Sequence, residues 1–91
     1  MERIGKHFII SGKVQGVFFR DSTRTKAREL GITGWVRNDI QGHVECIAFG
    51  TPEQMSVFEA WLWEGPKKAE VKSVTAEIIP VENRDVFDII R

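Results

Sequence analysis

Hydrophobic residues recur along the chain with two different periods, and the switches between them mark out the elements. "KHFIISGK" at 6–13 is rich in β-forming residues and runs into a glycine, so it reads as a strand. At 22–30, "STRTKAREL" places Thr23, Ala27 and Leu30 at spacings of four and three, the pattern of a helix with one thin apolar stripe. Asp21 or Ser22 is placed to cap this helix and Gly31 to stop it. So narrow a stripe needs a sheet beneath it. "TGWVRN" at 33–38 and "HVECIAF" at 43–49 read as two strands joined by "DIQG", whose Asp and Gly suit a hairpin loop. A second helix is marked by Thr51 with Gln54 three residues on, a capping box, and by Pro52 at the first helical position. Met55, Phe58 and Leu62 line one face of it, Trp61 and Trp63 flank that face, and Gly65-Pro66 ends it. "VKSVTAEII" at 71–79 reads as a fourth strand. "VFDII" at 86–90 reads as an edge strand or a tail packed down the sheet's end.

The order strand, helix, strand, strand, helix, strand predicts an α+β fold. Its form is a ferredoxin-like α/β sandwich (βαββαβ), an antiparallel sheet with two helices on one face. With 91 residues the chain is expected to form one domain, residues 1–91, around one modest core. That element order hosts RNA-binding, metal-binding, regulatory and enzymatic domains, so function has to come from particular residues.

Composition narrows the choice. Lys plus Arg and Asp plus Glu balance at 13 each, so the chain has no overall field to attract nucleic acid or an anionic membrane. No stretch approaches the roughly 20 apolar residues that span a bilayer. "MERIGKHFII" has no small-residue cleavage site, so no signal peptide is expected. A lone cysteine, Cys46, allows no intrachain disulfide and no cysteine-rich zinc cluster. It reads as a buried small hydrophobe, and a cytoplasmic setting fits. His7 and His43 lack a metal-ligand partner at useful spacing and read as a solvated strand residue and a hairpin residue. Trp35 reads as a packing aromatic, Trp61 and Trp63 as core or rim, and Lys67-Lys68 as a solvated loop.

One stretch does not fit a plain strand-to-helix connection. In "GKVQGVFFR", 12–20, glycines sit four apart, and an apolar run leads to an arginine just before a helix. Glycine weakens a strand interior but permits the positive φ that a concave nest of backbone N–H groups requires. The helix N-terminus that follows adds its own free donors and dipole. Arg20 brings a permanently charged fork matched to phosphate oxygens. Together these make a small phosphate cradle. It is not a nucleotide P-loop, because three residues separate Gly12 from Gly16 and Val17 follows. Asn38 ends the next strand. Its carboxamide can accept from and donate to a water.

Two motifs, "ISGKVQGVFFR" at 10–20 and "GWVRNDIQGHVECIAFG" at 34–50, resemble the two signature motifs of the acylphosphatase family. "EGPKKAEV" at 64–71 and "FDI" at 87–89 resemble further family features, so the likeness covers nearly the whole chain. The resemblance implies hydrolysis of acyl phosphates to a carboxylate and inorganic phosphate, with no metal and no cofactor. It implies that Arg20 binds the phosphate, that backbone N–H groups of Gln15, Gly16, Val17, Phe18 and Phe19 bind it too, and that Asn38 positions the attacking water. Phe18 departs from the family pattern, standing where many members carry a small residue, a change that bears on packing or the pocket wall and removes no catalytic group. The implied partners are a small-molecule acyl phosphate and inorganic phosphate, with no nucleic acid and no membrane, and a monomer is expected.

Three rival functions are weaker. An RNA-recognition module shares the element order, but the Gly-aromatic-Gly-Phe-Val arrangement and any Tyr are missing. A carbamoyl-phosphate-binding domain of a larger maturation enzyme shares the motifs, but no zinc-finger cysteines accompany them, which favours a free-standing enzyme. A regulatory relative that has lost activity is disfavoured by the presence of both Arg20 and Asn38.

Overall fold

A computed structural model describes residues 2–90. In chain order the elements are β1 (Ile4–Lys13), α1 (Phe19–Leu30), β2 (Thr33–Asn38), β3 (Val44–Gly50), α2 (Pro52–Glu64), β4 (Glu70–Ile79) and β5 (Phe87–Ile89). The strands form one sheet in the order β4-β1-β3-β2-β5. This is the expected ferredoxin-like α+β sandwich. Its ladders are antiparallel except for β2–β5, which is parallel. That exception follows from the path of the chain. Ile79 at the end of β4 lies in one row with Gly5, Phe49 and Thr33, the start of β2. A segment crossing along that end of the sheet must enter beside the start of β2 and run with it.

One face of the sheet is apolar. The registers bring Phe8, Cys46 and Val36 side by side, and all are buried. Helix α2 lies over this face. The Phe58 ring meets Phe8 at 5.9 Å and Phe87 at 6.1 Å, both edge-on. Each such pair adds about 0.5–1.5 kcal/mol beyond its buried area. Lys6 Nζ, on the same face, donates to Glu59 Oε1 of α2 at 2.9 Å. The start of α2 is the one indicated by its sequence. Gln54 N donates to Thr51 Oγ1 at 3.2 Å, and Thr51 N donates to Gln54 Oε1 at 2.8 Å. A cap of this kind contributes about 1 kcal/mol. Met55, Phe58 and Leu62 are buried, Trp61 is half-buried, and Trp63 is exposed. Burial, with the Glu45 carboxylate adding to it, pushes the Cys46 thiol far above its ordinary pKa, which leaves an inert packing residue.

The opposite face carries a polar network. His7 Nε2 and Glu45 Oε2 are 2.7 Å apart, and Arg37 Nε donates to Glu45 Oε1 at 2.6 Å. The Arg37 guanidinium also lies 5.3 Å from the centre of the Trp35 ring. His7 is therefore paired rather than simply solvated. Burial alone would raise the Glu45 carboxyl. The bonds and charges of His7 and Arg37 outweigh it and hold the group below its usual value.

Helix α1 corrects the expected boundary. It begins at Phe19, not Ser22, so Asp21 and Ser22 lie inside its first turn and cap nothing. The reason is packing. Phe19 is buried, with its ring 5.7 Å from that of Trp61, and it begins a buried stripe of Phe19, Thr23 and Ala27. Leu30 is only half-buried. Thr23 Oγ1 satisfies itself by donating to Phe19 O at 2.7 Å. Gly31 ends the helix in the left-handed conformation, as expected.

Candidate active site

Shortly before the loop between β1 and α1, β1 makes a register shift against β4, between Ser11 and Gly12. Gly12 has a φ of 121°, and a Cβ there would run into the carbonyl oxygen of Glu70. Only glycine allows this approach of backbone to backbone. Val14 and Val17 then turn into the core and pin the loop at two points. Between them stands Gly16, with a φ of 74°, where an added Cβ would meet nothing within 4 Å. The backbone at Gly16 faces open space. Phe18 follows, also left-handed at φ 62° and ψ 25°, and opens α1 without any side-chain capping bond.

These conformations leave donors free. Among the described residues, the backbone N–H groups from Gln15 to Asp21 donate to no protein acceptor. Such a run of amides at the positive end of a helix favours an anion. Arg20 sits in the first turn of α1, not ahead of the helix as its sequence context suggested. Its side chain is half-buried and forms no ion pair among the described residues. The neighbouring Asp21 carboxylate instead accepts from Arg24 at 3.2 Å.

The second half of the site is the β2–β3 hairpin. Asn38 is the last residue of β2 and pairs with Val44. Its Oδ1 is buried and accepts no hydrogen bond among the described residues. A buried oxygen left in that state is costly unless a ligand or water completes it. The hairpin loop that follows is tightly tied. Asp39 Oδ1 accepts from Gln41 N and His43 N, each at 2.9 Å, and Asp39 N donates to His43 O at 2.9 Å. Burial would push the Asp39 carboxyl up. The two N–H bonds, with the His43 ring beside it, prevail and hold it below the ordinary range.

Gln15 joins the two halves. Its Nε2 donates to Asp39 O at 3.0 Å and to His43 O at 2.9 Å. The loop that carries Gly16 is thereby fastened to the hairpin that carries Asn38.

A cavity of about 410 Å³ lies between them, lined by Val14, Gly16, Phe18, Phe19, Arg20, Asp21, Asn38 and Ile89. Of the residues singled out from the sequence, it gathers Gly16, Phe18, Phe19, Arg20 and Asn38. Gln15 and Val17 do not line it. The Gln15 side chain is committed to the hairpin and that of Val17 to the core, so only their backbone is left to face a ligand. Val14, Asp21 and Ile89 were not anticipated. Asp21 had a signal, its adjacency to Arg20. Ile89 arrives only through the pairing of β5 with β2. Chemically, the cavity offers converging cationic and N–H donors for an anion beside one unfilled acceptor. Among the described residues, no group of three or more His, Cys, Asp or Glu is placed to hold a metal ion. No helix among them is long and apolar enough to cross a membrane.

A family model described as Acylphosphatase matches residues 6–89. An acylphosphatase of Marinobacter nauticus is 53% identical over 74 residues, covering 81% of this chain and 80% of the relative. One of Coxiella burnetii is 51% identical over 81 residues, covering 89% of this chain and 85% of the relative. The solved structure of an acylphosphatase from Coxiella burnetii superposes with a TM-score of 0.94 at 46% identity, covering 97% of this chain and 93% of that one.

Proposed function

Because the chain belongs to the acylphosphatase family and is thus an acyl-phosphate hydrolase, we propose that a backbone-and-arginine phosphate cradle and a water held by Asn38 carry out its reaction. The supporting observation is the buried, unfilled Oδ1 of Asn38 on the same cavity as Gly16 and Arg20. In this reading the N–H groups of Gln15 to Phe19 and the Arg20 guanidinium take the phosphate oxygens. Asn38 Oδ1 accepts from the water and points its lone pair at phosphorus.

The chemistry is compatible with so few groups. Water oxygen bonds to phosphorus as the bond from phosphorus to the acyl oxygen breaks. The electron pair leaves on the carboxylate, and the water's proton passes to a phosphate oxygen. The leaving group has a conjugate-acid pKa of about 4, that of an ordinary carboxyl, and departs without a general acid. Phosphoryl transfer then asks mainly for positioning and for charge neutralisation on the equatorial oxygens. An arginine and a row of amides supply the second, and Asn38 the first. No residue of the cavity is needed as a covalent nucleophile. A phosphate monoester, with its poorer leaving group, is a poor substrate in this site. Benzoyl phosphate supplied to the purified chain in the presence of EDTA should be hydrolysed rapidly. Loss of turnover on adding chelator would contradict a metal-independent cradle.

A further inference from the structure

Among the described residues, the cations that form no ion pair are Arg3, Lys13, Arg20, Lys67, Lys68 and Lys72. All but Arg3 gather at the end of the fold that carries the loop between β1 and α1. Lys13 is the last residue of β1, directly ahead of that loop. Lys72 stands beside it on the edge strand β4. Ser11 pairs with Ser73 and Gly12 with Val71, so Lys72 bulges out between the two pairs. Lys67 and Lys68 form the tip of a turn that Ala69 N closes by donating to Pro66 O at 3.0 Å. That turn is packed against the start of α1, where a Cβ on Gly65 would run into the Phe19 ring. All four lysines are exposed, and none of them lines the cavity.

The carboxylates without an ion pair are placed the other way. Glu2, Glu53, Glu77 and Asp85 lie toward the opposite end, where β1 and α2 start and β4 finishes. Only Glu64 and Glu70 share the end with the lysines, and Asp21 is committed to Arg24. The chain is neutral as a whole, so its field comes from this separation of charge. The lysines are close enough to act. Lys13 precedes Gly16 by three residues, a reach of at most about 11 Å. Screening sets in over about 8 Å at physiological ionic strength. Charge of one sign around a cleft concentrates ions of the other sign and raises their rate of entry. We propose that Lys13, Lys67, Lys68 and Lys72 form an electrostatic collar that draws anionic acyl phosphates into the cavity without touching the reacting atoms. This rests on the phosphate position proposed above.

The test measures benzoyl phosphate hydrolysis as a function of ionic strength. The variants are the double Lys67→Gln/Lys68→Gln and the quadruple that adds Lys13→Gln and Lys72→Gln. A control double, Arg3→Gln/Arg84→Gln, removes the same charge as the first but at the opposite end. At about 0.01 M salt, where screening reaches about 30 Å, kcat/KM of the quadruple variant should fall about tenfold, with the double between it and the unaltered chain. The loss should lie in KM, with kcat unchanged, because the collar acts on capture. At about 1 M salt, where screening reaches about 3 Å, the variants and the unaltered chain should converge. The control should follow the unaltered chain throughout. The collar reads charge, so 4-carboxybenzoyl phosphate, with one more negative charge than benzoyl phosphate, should lose more in the quadruple variant. Thermal midpoints should barely move, since the replaced lysines are exposed and without ion pairs among the described residues. An unchanged kcat/KM at low salt overturns the collar. So does a loss that persists at high salt, falls on kcat, or appears equally in the control. Failure of the unaltered chain to hydrolyse benzoyl phosphate is a different outcome. It overturns the proposed function, and the collar with it.

Discussion

Arg20→Ala is expected to lower turnover of an acyl phosphate by on the order of a thousandfold or more, the range measured when an arginine is withdrawn from a phosphoryl-transfer site. The same change should abolish inhibition by inorganic phosphate. The two losses belong together because in the proposed cradle one guanidinium serves both. It is half-buried on the cavity wall with no ion pair among the described residues, so its charge is free for a ligand. Arg20→Lys should restore little, since a point charge does not reproduce the planar fork that takes two phosphate oxygens. Stability should barely move, because among the described residues Arg20 contributes no cap and no ion pair to α1. Steady-state kinetics with phosphate as inhibitor, beside a thermal melt, separate these effects. An Arg20→Ala protein that keeps normal phosphate inhibition would show that the anion sits elsewhere.

Asn38→Ala is expected to lower kcat on the order of a hundredfold while leaving phosphate inhibition intact, the pattern of a lost transition-state interaction. The contrast with Arg20 separates holding the phosphate from aiming the water. Asn38 lies at the end of β2 and its oxygen has no protein partner among the described residues. Removing it therefore breaks no hydrogen bond of that oxygen among the described residues. The hairpin beyond is held by Asp39 and Gln15, neither of which depends on the Asn38 side chain. Near-normal kcat in this variant would remove Asn38 from the mechanism.

Much of this site was legible before the fold was. Helix α2 carried its own punctuation, Thr51, Pro52, Gln54 and Gly65, and local chemistry of that kind survives folding unchanged. The strands of the sheet followed from runs of β-forming residues and from glycines. The start of α1 was not legible. Asp21 and Ser22 are good caps by type, but the burial of Phe19 against Trp61 draws the helix three residues further back. A left-handed phenylalanine at its head runs against every local preference, so no reading of propensities reaches it. Gln15 was singled out for its backbone. Its side chain bridges 24 and 28 residues of chain to the hairpin, and contacts of such separation have no local signature. Ile89 enters the cavity for the same reason, through a parallel pairing that depends on where β4 ends.

The central claim is that water, held beside Arg20's phosphate, attacks phosphorus rather than the acyl carbon. Single-turnover hydrolysis of benzoyl phosphate in water enriched in oxygen-18, with the products read by mass spectrometry, tests it directly. Attack at phosphorus places the label in inorganic phosphate and leaves the benzoate unlabelled. Label in the benzoate would mean attack at carbon, and Asn38 and the cradle would then need other roles.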